Sequence, residues 1–592
     1  MALLRLRNSR QKLSLAVAFS FLLSPCALHA QLGQTTDWWS YAGDAQRTGW
    51  EKTDQKFSKA DVPNFRLLWK MKIASNATGP RTVMAPLILG NLIGSRGFKE
   101  LAFVASSSGH LASIDADLAR MYWEKDIEPT PVKAGKGSSA CAAGMTAMPT
   151  LAAPFVFRFG APAPPTPPPP SGPAAASTNP VRDASSTQSP GGTPRPGGAN
   201  AGPASGPGAP APRSQGLPGP AIPPSMARLF QPKPIYVLTN SGALHKFNVD
   251  NGAEMQPPLP FVPPNTNAHS LNLADSVVYT TTTSNCGGVP NAVWAIDSSK
   301  PAPNEAASFP LNGADFAGIG GPVLGTDGTV YVQTADAEFD PAAKKYGSAV
   351  LALAAKELKM KSYFAIPRTQ SAHRNPELNG TTPLVFAHKG KDLIVTAGKD
   401  GRLYLLDSTS LGGADNSTPL FRTEPLAKSE PAVGAGGVWG GLSTWAEASG
   451  TRYVLAPVWG QLSAELKAPS DNGEVKNGAI VAFKLDDAGE KPALTLAWVS
   501  RNMSSPAPPV IAQGVVFAVS NGESGRKAKK SGNDHATLYA LDALTGKEMY
   551  STADQVKVPG ALTGVSIANG RVYFATTDNT IWAFGKYIET GR

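Results

Sequence analysis

The chain has 592 residues, a formal charge of +10, 42% hydrophobic residues and 17% charged ones, a balance that suits a globular protein and excludes wholesale disorder. Four of the positive charges (Arg5, Arg7, Arg10 and Lys12) stand at the extreme N-terminus. The remaining excess, about +6, is too mild over this length to indicate a nucleic-acid partner.

Residues 1–30 read as a secretory signal. The basic residues lead into apolar Leu13 to Leu23, which is too short to span a bilayer, and Ala30 suits the last position before cleavage. The expectation is an exported protein, periplasmic or secreted. Leu23-Ser-Pro-Cys26 resembles a bacterial lipoprotein box, but Pro25 is a poor neighbour for a modified Cys, so a cleaved chain without a lipid anchor is expected. No later stretch is apolar and long enough for a transmembrane helix. Asp37-Trp-Trp-Ser-Tyr-Ala-Gly-Asp-Ala-Gln-Arg-Thr-Gly-Trp50 is too aromatic and Gly-rich for a linker. It reads as an arm packed across the body that follows, with an aromatic ligand platform as the alternative. Leu67-Leu-Trp-Lys-Met-Lys-Ile73 reads as a strand with no partner before it.

From Met84 onward one pattern recurs eight times. A short apolar strand (a) precedes a second (b), which leads to a third (c) ending in a small residue, any residue and Asp. Strands b begin at Leu101, Pro234, Val277, Val330, Leu393, Tyr453, Val515 and Val572. The clearest unit is Thr537-Leu-Tyr-Ala-Leu-Asp-Ala-Leu-Thr-Gly-Lys-Glu-Met-Tyr550, where Asp542 and Gly546 set a tight turn before strand d. One such unit cannot bury its own apolar face, so the copies must stack. The last unit lacks strand d. The spare strand at Leu67–Ile73 would supply it by pairing beside Ile581–Phe584 and leave no free sheet edge. The expectation is an all-β fold over residues 31–592: an eight-bladed β-propeller closed by an N-terminal strand.

Gly160 to Pro224 is Pro, Ala, Gly and Ser almost throughout, and is expected to be a disordered insertion in the a–b loop of blade 2. Cys141 falls in the loop before strand a of blade 2, and Cys286 in the b–c loop of blade 3. Both loop types open on one face, called the front, so the pair is expected to form a disulfide there. The absence of His or Cys at ligand spacing argues against a metal site. Three long b–c insertions, Ala335–Gly347, Gln461–Asn477 and Asn521–Asp534, also start from the front, and the last holds Arg526, Lys527, Lys529 and Lys530. His269, His373 and Arg374 are placed on the same ligand face. Trp439 and Trp445 bracket strand a of blade 6 and are the candidates for a stacking wall in the central channel.

Ala540-Leu-Asp-Ala-Leu-Thr-Gly-Lys-Glu-Met-Tyr550 resembles the repeat of the pyrroloquinoline quinone (PQQ) propellers, with Tyr550 in place of a Trp. Asp115 with Trp123 matches the same frame, and Asp37 to Asp44 is similar to the segment before the first blade of quinoprotein alcohol dehydrogenases. The resemblance implies the fold over most of the chain. For enzymes of that family it also implies PQQ stacked between a Trp and a disulfide of adjacent cysteines. A calcium ion would be held there by Glu and Asn beside an Asp base. This sequence has no adjacent Cys pair, no assignable Glu, Asn and Asp set, and no Cys-x-x-Cys-His for a haem. The sequence reading therefore favours a non-catalytic module binding a protein, peptide or polymer. A divergent PQQ-dependent dehydrogenase and an outer-membrane protein assembly factor are the alternatives.

Overall fold

The computed structural model describes residues 36–75, 79, 81–94, 96–127, 141, 145–152, 233–367, 378–428, 436–487, 489–523 and 534–587. The signal region, Cys26, the Gly160–Pro224 insertion, His373, Arg374 and the basic cluster at 526–530 lie outside them.

Eight antiparallel sheets form the blades of a β-propeller. Blade 7 shows how the sequence builds each one. Its strands are Val510–Ala512, Val515–Ser520, Thr537–Asp542 and Glu548–Ser551. Val515–Ser520 is buried along its whole length, as a strand covered by a neighbouring blade on each side must be. Asp542 ends strand c because its Oδ1 accepts from the amides of Leu544 and Thr545 (2.9 and 3.0 Å). Gly546 completes the turn at φ +70°, and a Cβ there would stand 2.3 Å from the ring of Trp498.

Trp498 explains how adjacent blades lock. It lies on strand d of blade 6, and its Nε1 donates to Ala543 O in the c–d turn of blade 7 at 3.0 Å. Trp123 of blade 1 donates likewise to Val249 O of blade 2 at 2.8 Å. Trp69 donates to Ala116 O of blade 1 at 2.9 Å. Trp69 comes from Arg66–Lys72, which pairs antiparallel with Thr580–Gly585, so blade 8 takes its fourth strand from the N-terminal side. The ring closes as the spare strand implied, and the closing strand carries the same docking Trp as an ordinary strand d.

Several strands a are shorter or more broken than the apolar runs suggest; in blade 4 only Val323–Leu324 pairs. In blade 2 only Thr150–Leu151 pairs. In blade 3 the strand splits into Asn267–Ala268 and Asn272–Ala274, and in blade 6 into Gly437–Val438 and Ser443–Ala446. Part of the freed backbone bonds sideways instead: Leu271 N donates to Met148 O (2.9 Å) and Thr382 N to Gly440 O (3.2 Å), each across to another blade's inner strand.

The long b–c insertions of blades 4 and 6 fold outward. Ala335–Gly347 makes a small hairpin, Phe339–Asp340 with Lys345–Tyr346. Its Tyr346 packs on Phe309 of blade 3 and its Phe339 on Tyr363 of blade 4. In Gln461–Asn477, Ser470–Asp471 pairs beside Trp498–Val499, and Ser470 Oγ and Asn472 Nδ2 reach Thr545 O of blade 7. Both insertions therefore cover outer strands.

Candidate functional site

The centre of the ring is occupied by the chain itself. Residues 36–51 run once round the inner strands and bond to every blade. Thr36 N donates to Asn569 Oδ1 of blade 8 at 2.9 Å. Trp38 exchanges both backbone bonds with Ile88 of blade 1. Leu151 N of blade 2 donates to Trp39 O at 2.8 Å. Ala45 O accepts from Asn272 Nδ2 of blade 3 and from Leu324 N of blade 4, both at 2.9 Å. Val385 N of blade 5 donates to Gln46 O, Thr444 N of blade 6 to Thr48 O, and Ile511 N of blade 7 to Gly49 O. Unpaired edges of the inner strands thus find partners without a ligand.

Tyr41 and Arg47 fill the axis. The Arg47 guanidinium is fully buried and donates to Tyr41 O and Leu271 O at 2.8 and 2.9 Å. Burial lowers its pKa to about 10, against the pull of Asp44. Burial likewise raises the Tyr41 phenol, whose Oη has no hydrogen-bond partner among the described residues. The ring of Tyr41 lies against glycines of three blades. A Cβ on Gly320 would stand 2.8 Å from it, one on Gly441 3.0 Å from its Oη, and one on Gly564 4.0 Å away. The recurrence of Gly near the same point of alternate inner strands is the signal that could have revealed the plug in the sequence.

Among the described residues, two small cavities lie beside Tyr41. One, of about 20 Å3, is lined by Trp38, Tyr41, Arg47 and Pro508 among others. The other, of about 50 Å3, lies between Tyr41, Arg81, Met84, Met148 and Ile319. Such volumes hold a few waters.

The residues singled out from the sequence scatter around this plug. Trp439 is buried, stacked on Trp459 at 4.8 Å, with Arg81 over its ring at 5.8 Å. Trp445 turns the other way, stacking on Tyr453 at 5.1 Å in the core between blades 6 and 7. The two do not make one wall, because Trp439 stands in the break just after Gly437–Val438 while Trp445 lies in the separate piece Ser443–Ala446. His269 donates its backbone N–H to Thr281 O, and its Nδ1 meets Thr281 Oγ1 at 3.0 Å, a hydrogen bond internal to blade 3. Cys141 and Cys286 form a disulfide, with Cα atoms 5.7 Å apart, which ties the start of blade 2 to blade 3. No three His, Cys, Asp or Glu among the described residues are grouped to hold a metal ion.

An open groove lies elsewhere, along blades 6 and 7. Two clefts of about 280 and 380 Å3 share Arg501 and Asn502. The first is lined also by Ser504, Ser520, His535, Thr537, Tyr539 and Asp554, the second by Asn472, Glu474, Lys547 and Glu548. Arg501 is ion-paired with Glu548 and sits 4.9 Å over the Tyr539 ring. Asn502 Oδ1 accepts from Lys476 N and Asn477 N, both at 2.8 Å, which fixes the groove wall. Its lining of hydroxyls, amides and both signs of charge suits a polar, extended ligand. Nothing in the local sequence pattern distinguishes Arg501 from other loop cations, so the sequence reading missed this site.

Residues 476–592 match the family described as outer membrane protein assembly factor BamB. No curated protein matches the sequence. Among solved structures, a quinohemoprotein alcohol dehydrogenase from Comamonas testosteroni is 13% identical, with a TM-score of 0.52 over 94% of this chain and 82% of that one. A europium-containing methanol dehydrogenase is 12% identical, with a TM-score of 0.50 over 93% of this chain and 98% of that one. BamB from Moraxella catarrhalis is 13% identical, with a TM-score of 0.35 over 60% of this chain and 93% of that one. At such identities the likeness to the two dehydrogenases is one of fold: the chain has the PQQ-type β-propeller fold. The channel residues described above do not fit a tricyclic quinone with its cation. Among the described residues the cavities beside Tyr41 are small, and the one at Arg81, lined also by Met84, Thr146, Met148, Ser270, Ile319 and Thr563, offers a cation no carboxylate.

Proposed function

We propose that the chain is an exported, non-catalytic β-propeller that binds a protein, peptide or polymer in the groove on blades 6 and 7. One observation carries this reading: among the described residues the Arg501–Asn502 groove is open and lined by polar and charged groups, while the cavities beside Tyr41 at the axis are small. A quinone oxidant needs room at the axis, a cation at its carbonyl and a base for the alcohol proton. A binding module needs only a rigid frame that presents a groove. The span that matches the assembly-factor family contains Arg501, His535, Tyr539 and Asp554, which supports a protein ligand over a small substrate. The localisation rests on the basic and apolar N-terminus of the sequence.

The test is a photoreactive amino acid placed at Asn502, and as a control at Ala342 on the outer hairpin of blade 4, in the producing cell. The expected result is one discrete adduct from position 502, identified by mass spectrometry and lost when Arg501→Glu is added. Adducts from both positions alike, or from neither, contradict the groove as the binding site.

A further inference from the structure

Large apolar side chains that are well exposed are not spread evenly over the described surface. They are Phe98 (64%), Leu118 (54%), Met255 (37%), Leu544 (45%) and Tyr587 (54%). Phe98 opens strand b of blade 1 at the a–b hairpin, and Leu118 is in the c–d turn of the same blade. Leu544 is in the c–d turn of blade 7, Met255 follows strand c of blade 2, and Tyr587 follows strand c of blade 8. In a four-stranded meander the a–b and c–d connections share one face, the back. Phe98, Leu118, Leu544 and Tyr587 therefore stand on the back, and Met255, alongside strand c just past the turn of blade 2, borders it, so the groups span four consecutive blades: 7, 8, 1 and 2.

The same arc is basic. Residues 52–57 cross the back of blades 7 and 8, where Gln513 Nε2 donates to Asp54 O and Gly570 N donates to Asp54 Oδ2. Lys52, Lys56, Arg66 and Arg96 are exposed there, and Arg66 lies 3.9 Å over the Tyr587 ring. Acids of these turns are engaged, Asp61 by Lys586, Asp117 by Arg571 and Asp542 by Lys59, and in blade 2 Asp250 accepts from Tyr122 and Glu254 meets His245. The outward charge of the arc is left positive.

We propose that the back of blades 7, 8, 1 and 2 docks on an anionic lipid surface. The apolar groups stand on separate blades rather than in one contiguous patch. A protein partner needs a continuous complementary area, usually above about 1,000 Å2. A lipid surface takes separate turn tips one by one, and its headgroups meet the intervening Lys and Arg. Docking in this way leaves the b–c and d–a loops of the front face directed away from the lipid, while one end of the Arg501 groove, at Asn472 and Lys547, borders the c–d turn of blade 7.

The test is co-sedimentation of the full chain, freed of residues 1–30, with phosphatidylcholine vesicles that contain or lack phosphatidylglycerol. Binding should be at least about tenfold tighter with the anionic lipid and should weaken as salt is raised. Phe98→Ser with Leu118→Ser should lower it by about tenfold or more, and so should Lys52→Glu with Lys56→Glu, each with an unchanged melting temperature. Leu544→Ser with Tyr587→Ser, on two other blades, replaces either pair that fails to fold. Absence of binding, equal binding to neutral vesicles, or variants that bind like the parent would overturn the proposal. So would capture of a protein by this face without lipid affinity.

Discussion

Replacing Trp69 with Ala tests the closure of the ring at its weakest link. Trp69 is 8% exposed, packs at 5.8 Å on Tyr573 of blade 8 and donates to Ala116 O of blade 1. It therefore joins three things: the N-terminal strand, the last blade and the first. A buried aromatic side chain removes about 150–250 Å2 from water. At about 25 cal/mol per Å2 this amounts to roughly 4–6 kcal/mol. The unfolded chain already hides part of that area, so about 3–5 kcal/mol is the expected loss. Trp69→Phe keeps most of the burial but leaves Ala116 O without its donor, at a cost of about 1–2 kcal/mol. Urea unfolding followed by tryptophan emission and by far-ultraviolet circular dichroism measures both. Limited proteolysis should also cut Trp69→Ala within residues 52–75 under conditions where the parent resists. A loss below about 1 kcal/mol for the Ala variant, with no new cleavage, would refute the claim that this strand closes the ring.

Three further predictions concern the plug, one seam and the disulfide. Gly441→Val should destabilise by about 1–3 kcal/mol because its side chain meets Tyr41, and much of that loss should be recovered in a Tyr41→Ala background; strictly additive midpoints in thermal scans would contradict the contact. Glu100 accepts from Tyr573 Oη and Arg571 Nη1 across the blade 8–blade 1 seam, and burial raises its pKa to about 7 despite Arg571. The unfolded chain loses this proton first, so stability should fall as pH rises from the ordinary carboxyl value of 4.5 through about 7. Glu100→Gln should flatten that part of the pH profile, and parallel profiles for parent and variant would sink the assignment. Reducing Cys141–Cys286, which spans 145 positions, should cost about 2–5 kcal/mol; a melting temperature indifferent to reductant would contradict a structural role.

The fold was legible because its units are written in local chemistry. Asp542 and Gly546 dictate a turn whatever surrounds them, and Val515–Val519 is apolar throughout because blades cover it on both sides. The closing strand was legible by subtraction, as Leu67–Ile73 lacked a neighbour and the last unit lacked strand d. The Cys141–Cys286 pairing followed from the same topology. The interior of the ring was not legible. Asp37–Trp50 reads as an arm, but its circuit of all eight blades is set by backbone carbonyls, and every residue has one. Trp439 and Trp445 look equivalent in sequence, yet a break in the strand sends one towards Arg81 and the other into the core between blades. The outward folding of Ala335–Gly347 and Gln461–Asn477 depends on contacts with other blades, such as Tyr346 with Phe309, which no local pattern encodes. The Arg501 groove is likewise assembled from segments distant in sequence, Asn472 to Asp554, none of which carries a motif.

The central claim is that the protein binds its ligand in the Arg501 groove and holds no quinone at the axis. The direct measurement is incubation of the purified protein with PQQ and calcium, gel filtration, and a visible spectrum of the protein peak. The account predicts that the quinone elutes as a free small molecule and that the protein peak carries no quinone absorbance. Stoichiometric co-elution of quinone with the protein, diminished by substitution at Tyr41 or Trp439, would contradict it.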